Sequence, residues 1–286
     1  MGVFRPIIEK MEREGLSFFP PTLYKQHQAD SGIKGERRTQ ATLSIHSLSS
    51  LNKALKAAHL MIFRLGYPKS QRDVYFGLAK SFSPDWSDYF FLDENIFQAT
   101  KTEIFKPKIA PERLLAFKIV PAATESSIVN LSIASGAMAY ALGLDDLDIV
   151  IPGTCQSTFS FSFSPHSQIN TIWDHQNGQV EIDGLFIGRR NGKKIIFFIE
   201  SKTDNSTNLA KHKIFYPMLS SKHKIPKGMG VSGVYLRGKI LLDKVILQIC
   251  ECEYQGDFFS PAPHLNLLSP MIDRAKSLEI EGYGKR

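Results

Sequence analysis

Residues 181–202 read EIDGLFIGRRNGKKIIFFIESK. Asn191-Gly192 stands in the middle, a dipeptide suited to a two-residue hairpin turn because both turn positions need positive φ. A turn centred between these two residues pairs positions whose numbers sum to 383, and so sets Asp183 directly opposite Glu200. Cβ atoms in such a pair lie ~4.5–5.5 Å apart. Glu200 and Lys202 are two residues apart and share a face of their strand. Residues 195–199 are continuously apolar, the pattern of a strand buried on both sides. One face therefore gathers two carboxylates and an ammonium at the end of an apolar hairpin. Opposed carboxylates repel, and charges at the end of a buried strand need partners. A divalent cation between Asp183 and Glu200 would relieve the repulsion, and carboxylate and water oxygens are the ligands Mg²⁺ prefers.

Outward from this segment, residues 122–142 are rich in Ala, Ser, Ile and Met and end at Gly143, where a C-terminal cap is expected. They predict a helix with Glu125 in its first turn. Residues 158–164 alternate Phe159, Phe161 and Phe163 with serines, a period of two that predicts a strand. Strands are likewise predicted over 179–187 and 194–199. A helix is expected over 206–222, kinked by Pro217. A second strand pair is expected over 233–236 and 239–250 around Arg237-Gly238, and a last helix near 271–278. In the first hundred residues, 40–46 alternates like a strand, and 51–65 has helical spacing that runs towards a strand at 61–65. The prolines and charges of 101–112 read as a linker, dividing 1–105 from 106–286. The order predicts a mixed α/β fold with an additional N-terminal α+β region.

At 286 residues, with 43% hydrophobic and 22% charged, the chain can bury a sizeable core without disulfides. Cys155, Cys250 and Cys252 are odd in number and form no Cys-x-x-Cys pair, so they are expected as small buried residues in a reducing compartment. No stretch approaches ~18 consecutive apolar residues, and no membrane span is expected. The first ten residues carry Arg5, Glu9 and Lys10 and lack the apolar run of a secretory signal. A cytoplasmic location is the expectation. Residues 183–244 hold 13 Lys/Arg against 4 Asp/Glu, a larger excess than the net +7 of the whole chain. A basic segment within a balanced protein suggests a polyanionic partner such as nucleic acid.

Asp183…Glu200-Ser201-Lys202 resembles the signature of the PD-(D/E)XK nuclease superfamily, in which a β-hairpin presents an Asp and then Glu-x-Lys beside a preceding helix. Phe215-Tyr216-Pro217 after Asn208-Leu209 is similar to a helix segment of some restriction-type members. Those members often carry Gln four residues before the Pro, where this chain has Lys213. Glu125 matches the acidic residue that members often have on the preceding helix. The resemblance covers residues 122–253. It implies a restriction-endonuclease-like mixed sheet flanked by helices. Its implied activity is Mg²⁺-dependent hydrolysis of double-stranded DNA by a homodimeric type II restriction enzyme. Asp183 and Glu200 would hold the metal, the Ser201 carbonyl could complete the shell, and Lys202 would position the nucleophile; Glu125 is either a further ligand or a first-turn acid that favours the helix N-terminus. The N-terminal region would read DNA. A structure-selective repair or junction nuclease, and a non-catalytic DNA-binding module, are the alternatives.

Arg189, Arg190, Lys193 and Lys194 flank the hairpin turn, and with Lys211 and Lys213 they are the candidates for phosphate contacts. A charged hairpin tip is also ordinary surface. Asp204, Lys211 and His212 read as solvated or DNA-facing polar groups. The run Asp145, Asp146 and Asp148 reads as a solvated loop, and His166 and His175 have no ligand spacing.

Overall fold

Asn191 and Gly192 both take positive φ, 50° and 73°, and close a hairpin between β6 (Trp173–Arg190) and β7 (Lys193–Thr203). Its pairs run from Arg190↔Lys193 to Gly184↔Ile199, all in the register read from the sequence. Asp145 caps the turn, its carboxylate accepting the N–H groups of Asn191 and Gly192 at 2.9 Å each. The computed structural model describes residues 2–32, 42–68, 73–119, 124–145, 152–203 and 207–283. Asp146, Asp148 and Asp204 lie outside these, as do the first two residues of each of the segments 40–46 and 122–142.

The hairpin belongs to an eight-stranded mixed sheet, one strand in from one edge. The other strands are β4 (Thr102–Ile104), β5 (Gly153–Phe163), β8 (Gly230–Ile240), β9 (Lys244–Tyr254), β10 (Leu268–Pro270) and β11 (Lys276–Glu281). The order is β4-β11-β9-β8-β7-β6-β5, with β10 on β9. β7 and β8 run parallel, as do β4 and β11. A separate antiparallel sheet, β1 (Phe18–Leu23), β3 (Tyr75–Lys80) and β2 (Leu60–Arg64), lies in the N-terminal region. Its helices are α1 (Arg5–Glu14), α2 (Tyr24–Asp30) and α3 (Lys53–Ala57), followed by the short α4 (Asp93–Phe97) and α5 (Leu115–Ile119). The chain is a mixed α/β protein.

The uninterrupted apolar run of β7 is explained by cover on both faces. Phe197 and Ile199 join a core with Ile128, Val129 and Leu131 of α6 (Glu125–Ala134) and Met138 of α7 (Ala137–Ala141). Ile196 and Phe198 face Ile214, Phe215 and Met218 of α8 (His212–Ser221), and this core is continuous with that of the N-terminal sheet. Each fully buried Phe contributes ~1.5–3 kcal/mol through its removal from water. Backbone bonds fasten the N-terminal region to β6 directly: Tyr67 N–H donates to Gln176 O at 2.6 Å, and Gln176 N–H to Leu65 O at 2.8 Å.

Several elements differ from expectation. The helix of residues 122–142 is broken at Gly136 (φ 81°) into α6 and α7. The supposed linker supplies β4, which is anchored on β11. Arg237-Gly238 is inside β8, and the turn lies at Leu241–Asp243, so the second hairpin is longer than its apolar core suggests. The expected last helix is a 3₁₀ turn, Ile272–Arg274, followed by β11. Residues 42–46 form no strand.

Candidate active site

β6 carries two bulges against β5. Phe161 pairs with His175 but Phe159 with Gly178, and Cys155 pairs with Ile182 but Gly153 with Leu185. The second irregularity falls at Asp183-Gly184. A bulge bends its strand and re-aims a side chain. Here the Asp183 carboxylate accepts the Ser201 backbone N–H at 2.9 Å, capping the point where the β6–β7 ladder stops.

Glu200 is 2% and Lys202 7% exposed. The Lys202 ammonium lies 2.9 Å from Glu200 Oε1, 2.9 Å from Glu125 Oε1 and 2.8 Å from Ser201 O. Burial opposes its charge, but Glu200 and Glu125 outweigh burial and raise its pKa above the ordinary lysine value. Lys213 Nζ approaches the same Glu200 oxygen from α8, at 3.7 Å. The other oxygen, Oε2, is buried and accepts no hydrogen bond from the described residues. Burial, and then the neighbouring Glu200 carboxylate, push the Asp183 carboxyl up to about 7.

Glu125 reaches the cluster because α6 sits low on the sheet. Its N-terminus is fixed by a capping box between Thr124 and Ser127. Two glycines then allow close approach. A Cβ on Gly184 would lie 3.0 Å from Val129 Cγ1, and one on Gly238 would lie 2.6 Å from Ile128 Cδ1.

On the next strand, Tyr235 pairs with Glu200 and Arg237 with Lys202. Arg237 forms a buried ion pair with Asp93, 2.8 Å, and Tyr235 donates to the same carboxylate at 2.9 Å. Sequence reasoning missed this group because Arg237-Gly238 looks like a turn. A charged residue beside glycine inside an otherwise apolar strand is the signal that marks it. The Lys211, His212 and Lys213 stretch also has more structure than its sequence suggests. Ala210 N–H donates to His46 O at 3.0 Å, bringing His46 beside the start of α8.

The expected phosphate contacts separate into groups. Arg189, Lys193 and Lys194 are exposed at the hairpin tip, six residues or more from Glu200 along β7, roughly 20 Å. Arg190 is held by a bidentate pair with Glu251, 2.6 and 2.9 Å. Lys211 does not face a surface ligand: it is 4% exposed, lies over the Phe91 ring, and burial lowers its pKa to about 8. Lys213 alone of the six stands at the carboxylates. His166 is buried against Asp88 at 3.4 Å, and His175 stacks on Phe161 at 4.5 Å. Cys250 and Cys252 are buried free thiols, whereas Cys155 is exposed.

The donor set suits a hard cation: the Asp183 carboxyl, the unpartnered Glu200 Oε2 and the Ser201 carbonyl are all oxygens. Among the described residues, no three His, Cys, Asp or Glu side chains are already arranged around one metal position.

Fold and site together define a mixed α/β protein with an acidic–basic cluster at the end of the β6–β7 hairpin. The chain belongs to the family described as Domain of unknown function (DUF6997), whose model matches residues 92–258, a span that includes Asp93, Glu125, Asp183, Glu200, Lys202, Lys213 and Arg237. No curated protein and no solved structure matches it. No helix among the described residues is long and apolar enough to cross a membrane.

Proposed function

We propose that this protein is a divalent-metal-dependent endonuclease acting on double-stranded DNA, of the type II restriction kind, working as a homodimer in the cytoplasm. The observation that carries the reading is the buried, unpartnered Glu200 Oε2 beside an Asp183 carboxyl pushed up to about 7. Stability alone does not favour such a pair, because a buried carboxylate oxygen without a donor costs free energy. A metal-ligand role for Asp183 and Glu200, with the Ser201 carbonyl and with Glu125 if Lys202 releases it, accounts for the arrangement. Mg²⁺ bound there would supply Lewis-acid stabilisation of phosphoryl charge and a water of lowered pKa.

The protein's own groups have separable tasks. Lys202 is held charged, so it donates hydrogen bonds and does not abstract protons. Its place between Glu125 and Glu200 suits orienting a nucleophilic water and stabilising charge on a phosphate oxygen. Lys213 adds a second cation on the same side. Arg189, Lys193 and Lys194 at the distant hairpin tip suit backbone phosphate contacts, which make binding strongly salt-dependent. A non-catalytic DNA-binding role gives no reason for the unpartnered carboxylate.

The test is incubation with long unmethylated duplex at low salt, with Mg²⁺ or EDTA, beside Lys202→Ala and Glu200→Gln. Discrete fragments that require Mg²⁺ and vanish in both variants are expected. Preference for branched over plain duplex would redirect the reading to a junction or repair nuclease. Metal-independent binding without cleavage of either would reduce it to a binding module.

A further inference from the structure

A cleft of about 220 Å³ opens beside the carboxylates. Lys213 joins the two, since it lines the cleft and its Nζ lies 3.7 Å from Glu200. The floor is the stretch of β6 that leads to Asp183: Gln179 and Glu181 line it, and Glu181 is two residues from Asp183, roughly 7 Å along the strand. Gln156 on β5 is paired directly with Glu181, which sets a side-chain amide and a carboxylate together at one wall. Arg64, bonded to Ser44 and Tyr67, comes from the N-terminal sheet at another.

Two features indicate a ligand, and its kind. Tyr216 is 7% exposed and lines the cleft, yet its buried hydroxyl makes no hydrogen bond to the described residues; a buried hydroxyl is ordinarily paired. The His212 Nδ1 atom, also in the lining, is buried and unpaired as well. The lining combines rings with amides and carries charges of both signs. Burial keeps His175 and His212 neutral. Such a lining matches a flat, neutral heterocycle with donors and acceptors on its edge better than a phosphate. The volume is several times that of one water, about 30 Å³, and below the roughly 300–1,000 Å³ of sites for larger organic ligands.

We propose that this cleft takes a single nucleobase, turned out of the duplex, from the nucleotide adjoining the scissile phosphate. Tyr216 and the histidine rings would pack against the base, and Gln156 and Glu181 would bond its edge, as sites for extruded bases require. The inference rests on the nuclease reading above.

Ends made by the wild-type enzyme with Mg²⁺ are sequenced to locate the cut. Duplexes carrying 2-aminopurine at each nucleotide flanking it are then mixed with Lys202→Ala protein, with anisotropy reporting binding and emission reporting unstacking. A several-fold rise in emission at one position is expected, together with its loss when Gln156→Trp, at an exposed strand position, fills the mouth. A second loss is expected with Tyr216→Leu, which removes the ring proposed to pack against the base. Cleavage by wild type combined with flat emission at every position in bound duplex would overturn the base pocket and leave the nuclease reading intact. Absence of both cleavage and binding on plain and branched DNA would bring down the nuclease reading, and the pocket assignment with it.

Discussion

The Asp183 carboxylate accepts the backbone N–H of Ser201 at 2.9 Å, just past Gly184↔Ile199, the last pair of the β6–β7 ladder. The aspartate thereby closes the ladder and stands at the acidic cluster at once. Asp183→Asn can keep the acceptor for Ser201 while removing the charge. Cleavage should fall on the order of 10²–10³-fold, while the thermal midpoint in EDTA is unchanged or rises because repulsion with Glu200 is gone. A variant that cleaves normally would remove Asp183 from the site.

The cation itself should register without activity. Mg²⁺ added to EDTA-dialysed protein should raise the unfolding free energy by about 2.7 kcal/mol at a hundredfold excess over its Kd, with release of protons as Asp183 ionises. Equal stabilisation of Asp183→Asn and wild type would place the ion elsewhere.

The pH dependence of stability in EDTA has two opposed limbs. His175 has a folded pKa of about 4, below its unfolded 6.5. Its contribution is full above 6.5 and is lost as pH falls through 4, about 2–4 kcal/mol in all. Asp183 is raised from 3.8 to about 7, so its contribution is full below 3.8 and lost as pH rises through 7. Between pH 4 and 6.5 the two oppose each other. Urea titrations should show Asp183→Asn steepening the rise with pH; a profile superimposable on wild type would contradict the burial of this carboxyl.

Gly238→Ala should lower stability by about 1–3 kcal/mol through overpacking, because the new methyl meets three atoms of Ile128 at 2.6–2.8 Å. Lifting α6 also carries Glu125 away from Lys202. Chemical denaturation and the cleavage rate should both respond, with Ile128→Val restoring part of each. A neutral substitution would mean that α6 does not bear on β8 as described.

Lys211 has a pKa lowered to about 8 by burial. Stability is therefore lost as pH falls from 10.5 through 8, and at neutral pH the buried ammonium is a cost. Lys211→Met keeps the stem and should gain about 2–3 kcal/mol at pH 7, with DNA affinity unchanged. A loss of affinity would restore this lysine to the binding surface.

The hairpin was legible because it depends on local chemistry: Asn191-Gly192 fixes the turn, and the turn fixes the register. The helix carrying Glu125 was also readable, from its composition and from Gly143, though not its break at Gly136. What was hidden depends on partners distant in the chain. β4 has no alternation of its own and exists because β11 supplies its bonds. Arg237 looks like a turn residue until Asp93, more than a hundred positions earlier, neutralises it inside the sheet. Lys211 looks like surface charge, and its burial is decided by Phe91 and Asn266. His46 belongs beside α8 only through a backbone bond to Ala210.

The attachment of the N-terminal sheet to Gln176 has a mechanical meaning. Gln176 and Asp183 are seven residues apart on one strand, roughly 23 Å, and from Gly178 to Ile182 the ladder with β5 is unbroken. That stretch behaves as a stiff rod with a joint at either end, the two bulges. Tyr67 and Leu65 are therefore bonded to the same strand that carries Asp183, at its other bulge.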